Sequence, residues 1–219
     1  MKKAVIFDLD GTLLDTIEDI KDSVNHALEQ FSLKTHSTDT IRSFVGNGFA
    51  RLIELSVEGG KDNPLFTDVL NSALSWYAGH SQVKTKAYDG IKELLSALKE
   101  KGIKTAIVSN KPCAQVKQLA EIYFSDFMDS SLANGENEKA GIKRKPAPDM
   151  VTSLLSAMDV KPQEALYCGD SDVDIMTARN AGLDCVSVSW GFKSCSFLEE
   201  FGADKIIDTP LELLKYIQD

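Results

Sequence analysis

Ala4-Val5-Ile6-Phe7 is a short unbroken apolar run, rich in β-branched and aromatic residues, and Asp8-Leu9-Asp10-Gly11 follows it without a spacer. Such a run suits a central parallel strand covered on both faces. On extended chain, residues two apart point to the same side, so Asp8 and Asp10 project into one small volume where the strand ends, and Gly11 permits a sharp turn. Two anions held that close repel each other unless a cation lies between them or one of them takes a proton.

Both remedies have chemical uses. A carboxylate with the ordinary aspartate pKa of about 3.9 is ionised at neutral pH, so Asp8 can attack an electrophile such as phosphorus without a base to activate it. Asp10 can give a proton to a leaving oxygen and later remove one from an attacking water. Mg²⁺, a hard cation that prefers oxygen ligands, would neutralise the remaining charge. A plain polar turn is the bland alternative, since Asp-Gly pairs often mark turns. A calcium loop is excluded: counted from Asp8, Leu13 stands where an EF-hand needs glycine, and a strand precedes it instead of a helix.

The stretch Phe7-Asp8-Leu9-Asp10-Gly11-Thr12-Leu13-Leu14-Asp15 resembles the first motif of the haloacid dehalogenase-like phosphohydrolases, whose first aspartate becomes phosphorylated. The resemblance extends along nearly the whole chain. Ser109-Asn110, at the end of the apolar run Thr105-Ala106-Ile107-Val108, matches the second motif, whose hydroxyl and amide hold phosphate oxygens. Lys145 in Lys145-Pro146-Ala147-Pro148-Asp149 resembles the third, an ammonium among carboxylates that supports the charge on the phosphoryl oxygens. Gly169-Asp170-Ser171-Asp172-Val173-Asp174, after the strand Ala165–Cys168, matches the fourth. A calcium loop fails here too, with Ile175 and Ala181 at its glycine and glutamate positions. Asp172 is expected to cap the following helix.

The resemblance implies that Mg²⁺ is held by Asp8, the backbone carbonyl of Asp10, and Asp170. Asp174 would lie behind it, holding metal waters or orienting Lys145. Ser109, Asn110 and Lys145 would bind phosphate. The implied reaction is hydrolysis of a small phosphorylated metabolite, with Asp8 as nucleophile and Asp10 as general acid and base.

Between the first and second motifs the pattern changes. From Thr16 to about Gln82 the apolar residues recur at helical spacing with hardly any strand candidates, beginning with a stripe of Ile17, Ile20, Val24, Ala27, Leu28 and Phe31 behind a Thr16 cap. The aromatics Trp76 and Tyr77 read as bundle core. Gly46-Asn47-Gly48 opens a helix whose free N–H groups can meet an anion, with Arg51 one turn on, although an ordinary inter-helix turn has the same local sequence. The family resemblance implies that Gly46, Asn47 and Gly48 form a specificity loop similar to that of phosphoglycolate phosphatases, and Arg51 is a candidate to read a substrate carboxylate. It also implies cap closure that excludes water.

After Tyr88-Asp89-Gly90 strands and helices alternate, the mark of a parallel α/β sheet. A weaker strand or loop is expected near Met128 to Leu132, an exposed excursion from Asn134 to Arg144, a strand at Cys185–Val188, an edge strand at Ile206-Ile207, and a terminal helix from Pro210 to Ile217. The expected fold is α/β, a Rossmann-like parallel sheet core formed by residues 1–15 and 83–219, with a small α-helical cap domain inserted at 16–82.

A formal net charge of −9 argues against a nonspecific grip on nucleic acid. No apolar stretch approaches the ~20 residues of a membrane span, and the start of the chain lacks a cleavable leader pattern, so a cytoplasmic monomer or homodimer is expected. Cys113, Cys168, Cys185 and Cys195 lack C-x-x-C spacing and read as reduced core fillers, and His26, His36 and His80 lack metal-ligand spacing. The alternatives are a sugar-phosphate or nucleotide monophosphatase, a β-phosphoglucomutase-like mutase, and, from outside the enzymes, an inactive phospholigand-binding module.

Overall fold

The computed structural model describes residues 1–137 and 141–217. It divides into two compact units, Met1–Leu14 with Ala87–Asp219, and Asp15–Lys86. The second boundary falls four residues beyond the expected 82/83, because the chain there is tied to the first helix of the insertion. The buried Asp19 carboxylate accepts bonds from the backbone N–H groups of Lys84 and Thr85 and from the Thr85 hydroxyl, at 2.8–3.0 Å.

Among the described residues, the first unit carries a parallel sheet of six strands: β1 (Ala4–Phe7), β4 (Lys104–Pro112), β5 (Ala133–Glu136), β6 (Ala165–Gly169), β7 (Asp184–Val188) and β8 (Ile206–Ile207). Their spatial order is β5-β4-β1-β6-β7-β8. Strand β1 is central, with Phe7 in register with Ile107 of β4 and Cys168 of β6. Asp8, just past β1, and Asp170, just past β6, therefore emerge at the sheet's carboxyl edge beside the stretch of β4 that continues beyond Ile107, where ligands of open α/β sheets bind.

Alternation along the strands fills two cores. Val5, Phe7, Ile107, Leu166 and Cys168 face one way, against Ile91, Leu94, Leu95 and Leu98 of α5 (Ile91–Glu100) and Val116 and Leu119 of α6 (Cys113–Phe124). Ala4, Ile6, Ala106, Val108 and Tyr167 face the other, against α7 (Asp149–Met158) and α8 (Asp172–Ala181). Burial of β1 on both faces explains why its sequence is apolar without a break.

Several expectations change. Strand β4 runs on to Pro112, where it still pairs with Glu136 of β5 after a shift in register. Of the strand or loop expected near Met128 to Leu132 the structure has the loop, because the Asp129 side chain accepts from the Ser131 N–H at 2.8 Å and turns Ser130–Leu132 into a short 3₁₀ coil, and the strand follows at β5. Part of the expected excursion from Asn134 to Arg144 is thus edge strand, and its residues 138–140 lie outside the described residues. The expected terminal helix is present, as a 3₁₀ helix over Pro210–Tyr216. Of the cysteines Cys168 is buried, whereas Cys113 and Cys185 are half-buried and Cys195 is exposed, so the core-filler expectation fails for Cys195. The short strands β2 (Leu14–Asp15) and β3 (Lys86–Ala87) pair where the chain leaves the first unit and returns to it.

The second unit is helical: α1 (Ile17–Gln30), α2 (Thr38–Phe44), α3 (Gly48–Ser56) and α4 (Phe66–His80). Helix α1 packs on α4 and α2, and α3 on α4 and α2, around Val24, Leu28, Ile41, Ile53 and Tyr77. Trp76 is not core: it is half-buried and stacked between His26 and His80, with ring centroids 3.8 Å from each. No helix among the described residues is long and apolar enough to cross a membrane.

Candidate active site

Asp8 lies directly beyond β1, buried, with its Oδ1 accepting from Lys145 Nζ at 2.6 Å. The same ammonium donates to Asp174 Oδ1 at 2.7 Å. Asp174 is anchored in turn by Tyr167 Oη at 2.9 Å and by the Ser171 hydroxyl and backbone N–H at 2.6 and 3.1 Å. Ser171, not Asp172, stands at the N-cap of α8, and Asp174 completes a reciprocal capping box with it. Asp170, two residues past Cys168, is buried and accepts from Thr12 Oγ1 at 3.2 Å and from the Phe192 N–H at 2.7 Å.

Oxygens of Asp8, Asp170 and Asp174 lie within 4.8 Å of one another. Burial, reinforced by the Asp174 charge, pushes the Asp8 carboxyl well above the usual carboxylate range, with Lys145 opposing. Burial and Asp174 likewise push Asp170 up to about 7. Burial disfavours the Lys145 ammonium, but the Asp174 and Asp8 carboxylates outweigh it and hold its pKa above the ordinary lysine value. Fully ionised, the three buried carboxylates would outnumber the one ammonium beside them and leave an excess of negative charge. An all-oxygen, carboxylate-rich donor set with that excess fits a hard divalent cation.

Asp10 is less buried, and it is bracketed: Lys111 Nζ is 2.8 Å from its Oδ1 and Ser109 Oγ donates to its Oδ2 at 3.4 Å. Asn110, on the other side of β4, spends its side chain elsewhere. Its Oδ1 accepts from the Lys145 N–H at 2.7 Å and its Nδ2 donates to the Lys145 carbonyl at 3.1 Å, as a strand neighbour would. The Asn110 side chain, expected at the phosphate, braces the Lys145 backbone.

A family model described as haloacid dehalogenase-like hydrolase matches residues 5–188. The chain belongs to that family. A phosphoglycolate phosphatase from Nitrosospira multiformis is 31% identical, covering 99% of this chain and 96% of its own. One from Colwellia psychrerythraea is 30% identical, covering 97% and 96%. A solved structure from Lactobacillus delbrueckii subsp. bulgaricus, provisionally named a phosphoglycolate phosphatase, is 38% identical with a TM-score of 0.91, covering 99% of each chain.

In this haloacid dehalogenase-like hydrolase, the first unit thus brings together Asp8, Asp10, Ser109, Asn110, Lys145, Asp170 and Asp174. Gly46, Asn47, Gly48 and Arg51 belong to the helical unit. There Gly46 and Gly48 have φ of +131° and +79°, Asn47 stands at the N-cap of α3, and Arg51 pairs with Glu54 at 2.8 Å one turn along the same helix. Sequence reasoning passed over Lys111, because β4 was expected to end at Val108. With the strand continuing, Lys111 is two residues from Ser109 and falls on the same side, a period-two signal that a longer strand assignment reveals. Thr12 and the Phe192 N–H were also missed, since both act through space on a residue more than twenty positions away.

Proposed function

We propose that the chain is a Mg²⁺-dependent phosphatase that hydrolyses a small phosphate monoester through an aspartyl phosphate on Asp8, with 2-phosphoglycolate as its substrate. The observation that carries this reading is the convergence of Asp8, Asp10, Lys145 and Asp170 at the carboxyl ends of neighbouring strands. The phosphoglycolate assignment is supported by relatives of that name matched over almost their full length.

Asp8 and Asp170 would hold the cation together with the Asp10 carbonyl, and Asp174 would support it from behind. Bound there, Mg²⁺ supplies Lewis-acid charge neutralisation for a phosphoryl group. The Asp8 carboxylate attacks phosphorus, and its new O–P bond forms as the P–O bond to the leaving group breaks. Asp10 delivers a proton to the departing alkoxide. Asp10 then takes a proton from water, the resulting hydroxide attacks the aspartyl phosphate at phosphorus, and inorganic phosphate leaves as the Asp8 carboxylate is restored. Ser109 Oγ and the Lys145 ammonium stabilise the peripheral oxygens in both steps.

A panel of phosphate monoesters tests the substrate, with phosphate release and isomer formation measured side by side. The expected result is release from 2-phosphoglycolate with the highest kcat/KM and loss of activity when EDTA strips the protein, reversed by Mg²⁺. Preferential isomerisation of a sugar phosphate would identify a mutase, and binding without turnover an inactive module.

Lys111 provides a second check. Lys111→Met removes the ammonium from Asp10 while keeping the length of the stem. A charged hydrogen bond of that kind contributes roughly 1.5–3 kcal/mol, so kcat/KM should fall roughly 10–100-fold. Steady-state kinetics showing no change would rule out a part for Lys111.

A further inference from the structure

The loop after β7, residues 189–192, contributes no acid, base or nucleophile, yet it touches both acidic motifs of the first unit. The Phe192 N–H donates to Asp170 Oδ2 at 2.7 Å. Trp190 Nε1 donates to the Thr12 carbonyl at 3.1 Å, and the hydroxyl of the same Thr12 donates to Asp170 Oδ1 at 3.2 Å. Each oxygen of Asp170 therefore has a fixed donor, and one tryptophan secures the residue that supplies the second.

Space is as tightly set as hydrogen bonding. A Cβ on Gly191 would lie 2.6 Å from Asp170 Oδ2 and 2.7 Å from its Cγ. A Cβ on Gly11 would lie 2.8 Å from the same Cγ. The Asp170 carboxyl is thus gripped between two glycine backbones. Gly11 also has φ of +88°, but Gly191 is not among the positive-φ glycines, so its need for a bare Cα is spatial, not conformational.

We propose that the Trp190-Gly191-Phe192 loop is a positioning element for Asp170 that sets the affinity of the acidic cluster for its divalent cation. The inference rests on the Mg²⁺-dependent reading. Asp170 stands among buried like charges that repel it, and an unrestrained carboxylate would rotate away from Asp8 and Asp174. Donors to a ligating carboxylate fix its orientation, and their loss typically costs 10–100-fold in metal affinity. Here that task falls to a neutral loop more than 170 residues from Thr12 in the chain.

The test is Mg²⁺ binding to the purified full chain without substrate, by calorimetric titration, for wild type, Gly191→Ala, Trp190→Phe and Gly79→Ala. Gly79 lies in α4 with nothing within 4 Å of an added Cβ, so it controls for the alanine itself. Gly191→Ala should raise the Kd for Mg²⁺ roughly 10–100-fold. Trp190→Phe keeps an aromatic ring, though a smaller one, but loses the N–H, and should raise it about 2–10-fold. Gly79→Ala should match wild type. For Gly191→Ala, saturating Mg²⁺ should return kcat to within a few-fold of wild type, which a merely structural lesion would not do.

Unchanged Kd in Gly191→Ala, or a fall in kcat that excess Mg²⁺ does not relieve, overturns the proposal while leaving the phosphatase reading intact. If Gly191→Ala does not fold, Trp190→Phe decides, and an unchanged Kd there overturns it equally. A wild-type chain that binds no Mg²⁺ removes both.

Discussion

Asp8→Asn abolishes turnover and leaves the fold intact. The amide is nearly isosteric, but it is a far poorer nucleophile and cannot form the acyl phosphate. Removing a nucleophile from a hydrolase costs on the order of 10⁴–10⁶ in kcat. Stability should hold, because the Asp8 carboxyl is disfavoured as an anion by burial and by the Asp174 charge, and Lys145 keeps Asp174 as its partner at 2.7 Å. The measurement pairs phosphate release with intact-mass analysis during turnover. Wild type shows a fraction of chains carrying one phosphoryl group, and the variant shows none. A variant with near-normal rate would remove Asp8 from the chemistry.

Lys145→Met fails in a different way. It removes the ammonium that lies 2.6 Å from Asp8 and 2.7 Å from Asp174, and the side chain left behind has no charge to offer two buried carboxylates. Breaking a buried pair from one side costs about 3–5 kcal/mol, which in a domain of this size lowers Tm by roughly 6–20 °C. Catalysis should fall at least ~100-fold as well, the scale on which one preorganised donor to a developing oxyanion acts. The double variant Asp8→Asn, Lys145→Met separates the two effects. With one carboxylate already neutral, the lysine substitution should cost less stability than it does alone, because the two positions are in direct contact. Thermal unfolding of the four proteins measures that coupling, and strictly additive costs would mean that the ion pair does not set the stability of the site.

Much of this site could be read from local pattern. The apolar runs at Val5, Ile107 and Leu166 mark buried strands, and the acidic or hydroxyl residues that follow them fall at the carboxyl edge once those strands lie parallel. What escaped was set by partners distant in sequence. Asn110 reads as a phosphate ligand in isolation, and only the approach of Lys145, thirty-five residues on, shows its amide engaged with that backbone. Lys111 was hidden because β4 extends past Val108 through pairing with β5, a tertiary effect that overrides local turn signals such as Pro112. At α8, Ser171 took the cap expected of Asp172, since Asp174 is placed to return the bond.

The central position of β1 has a consequence for synthesis on the ribosome. The strand partners that Ala4 needs on either side lie far down the chain, at Lys104 and Ala165. At elongation rates of roughly 5–20 residues per second, the second partner appears about 8–30 s after the first strand. The helical unit is contiguous, Asp15–Lys86, and can complete its own contacts during that wait. Strand β1 therefore waits for its first partner until β4 is made and for its second until β6, tethered to an already formed helical unit, and chaperone dependence should concentrate there.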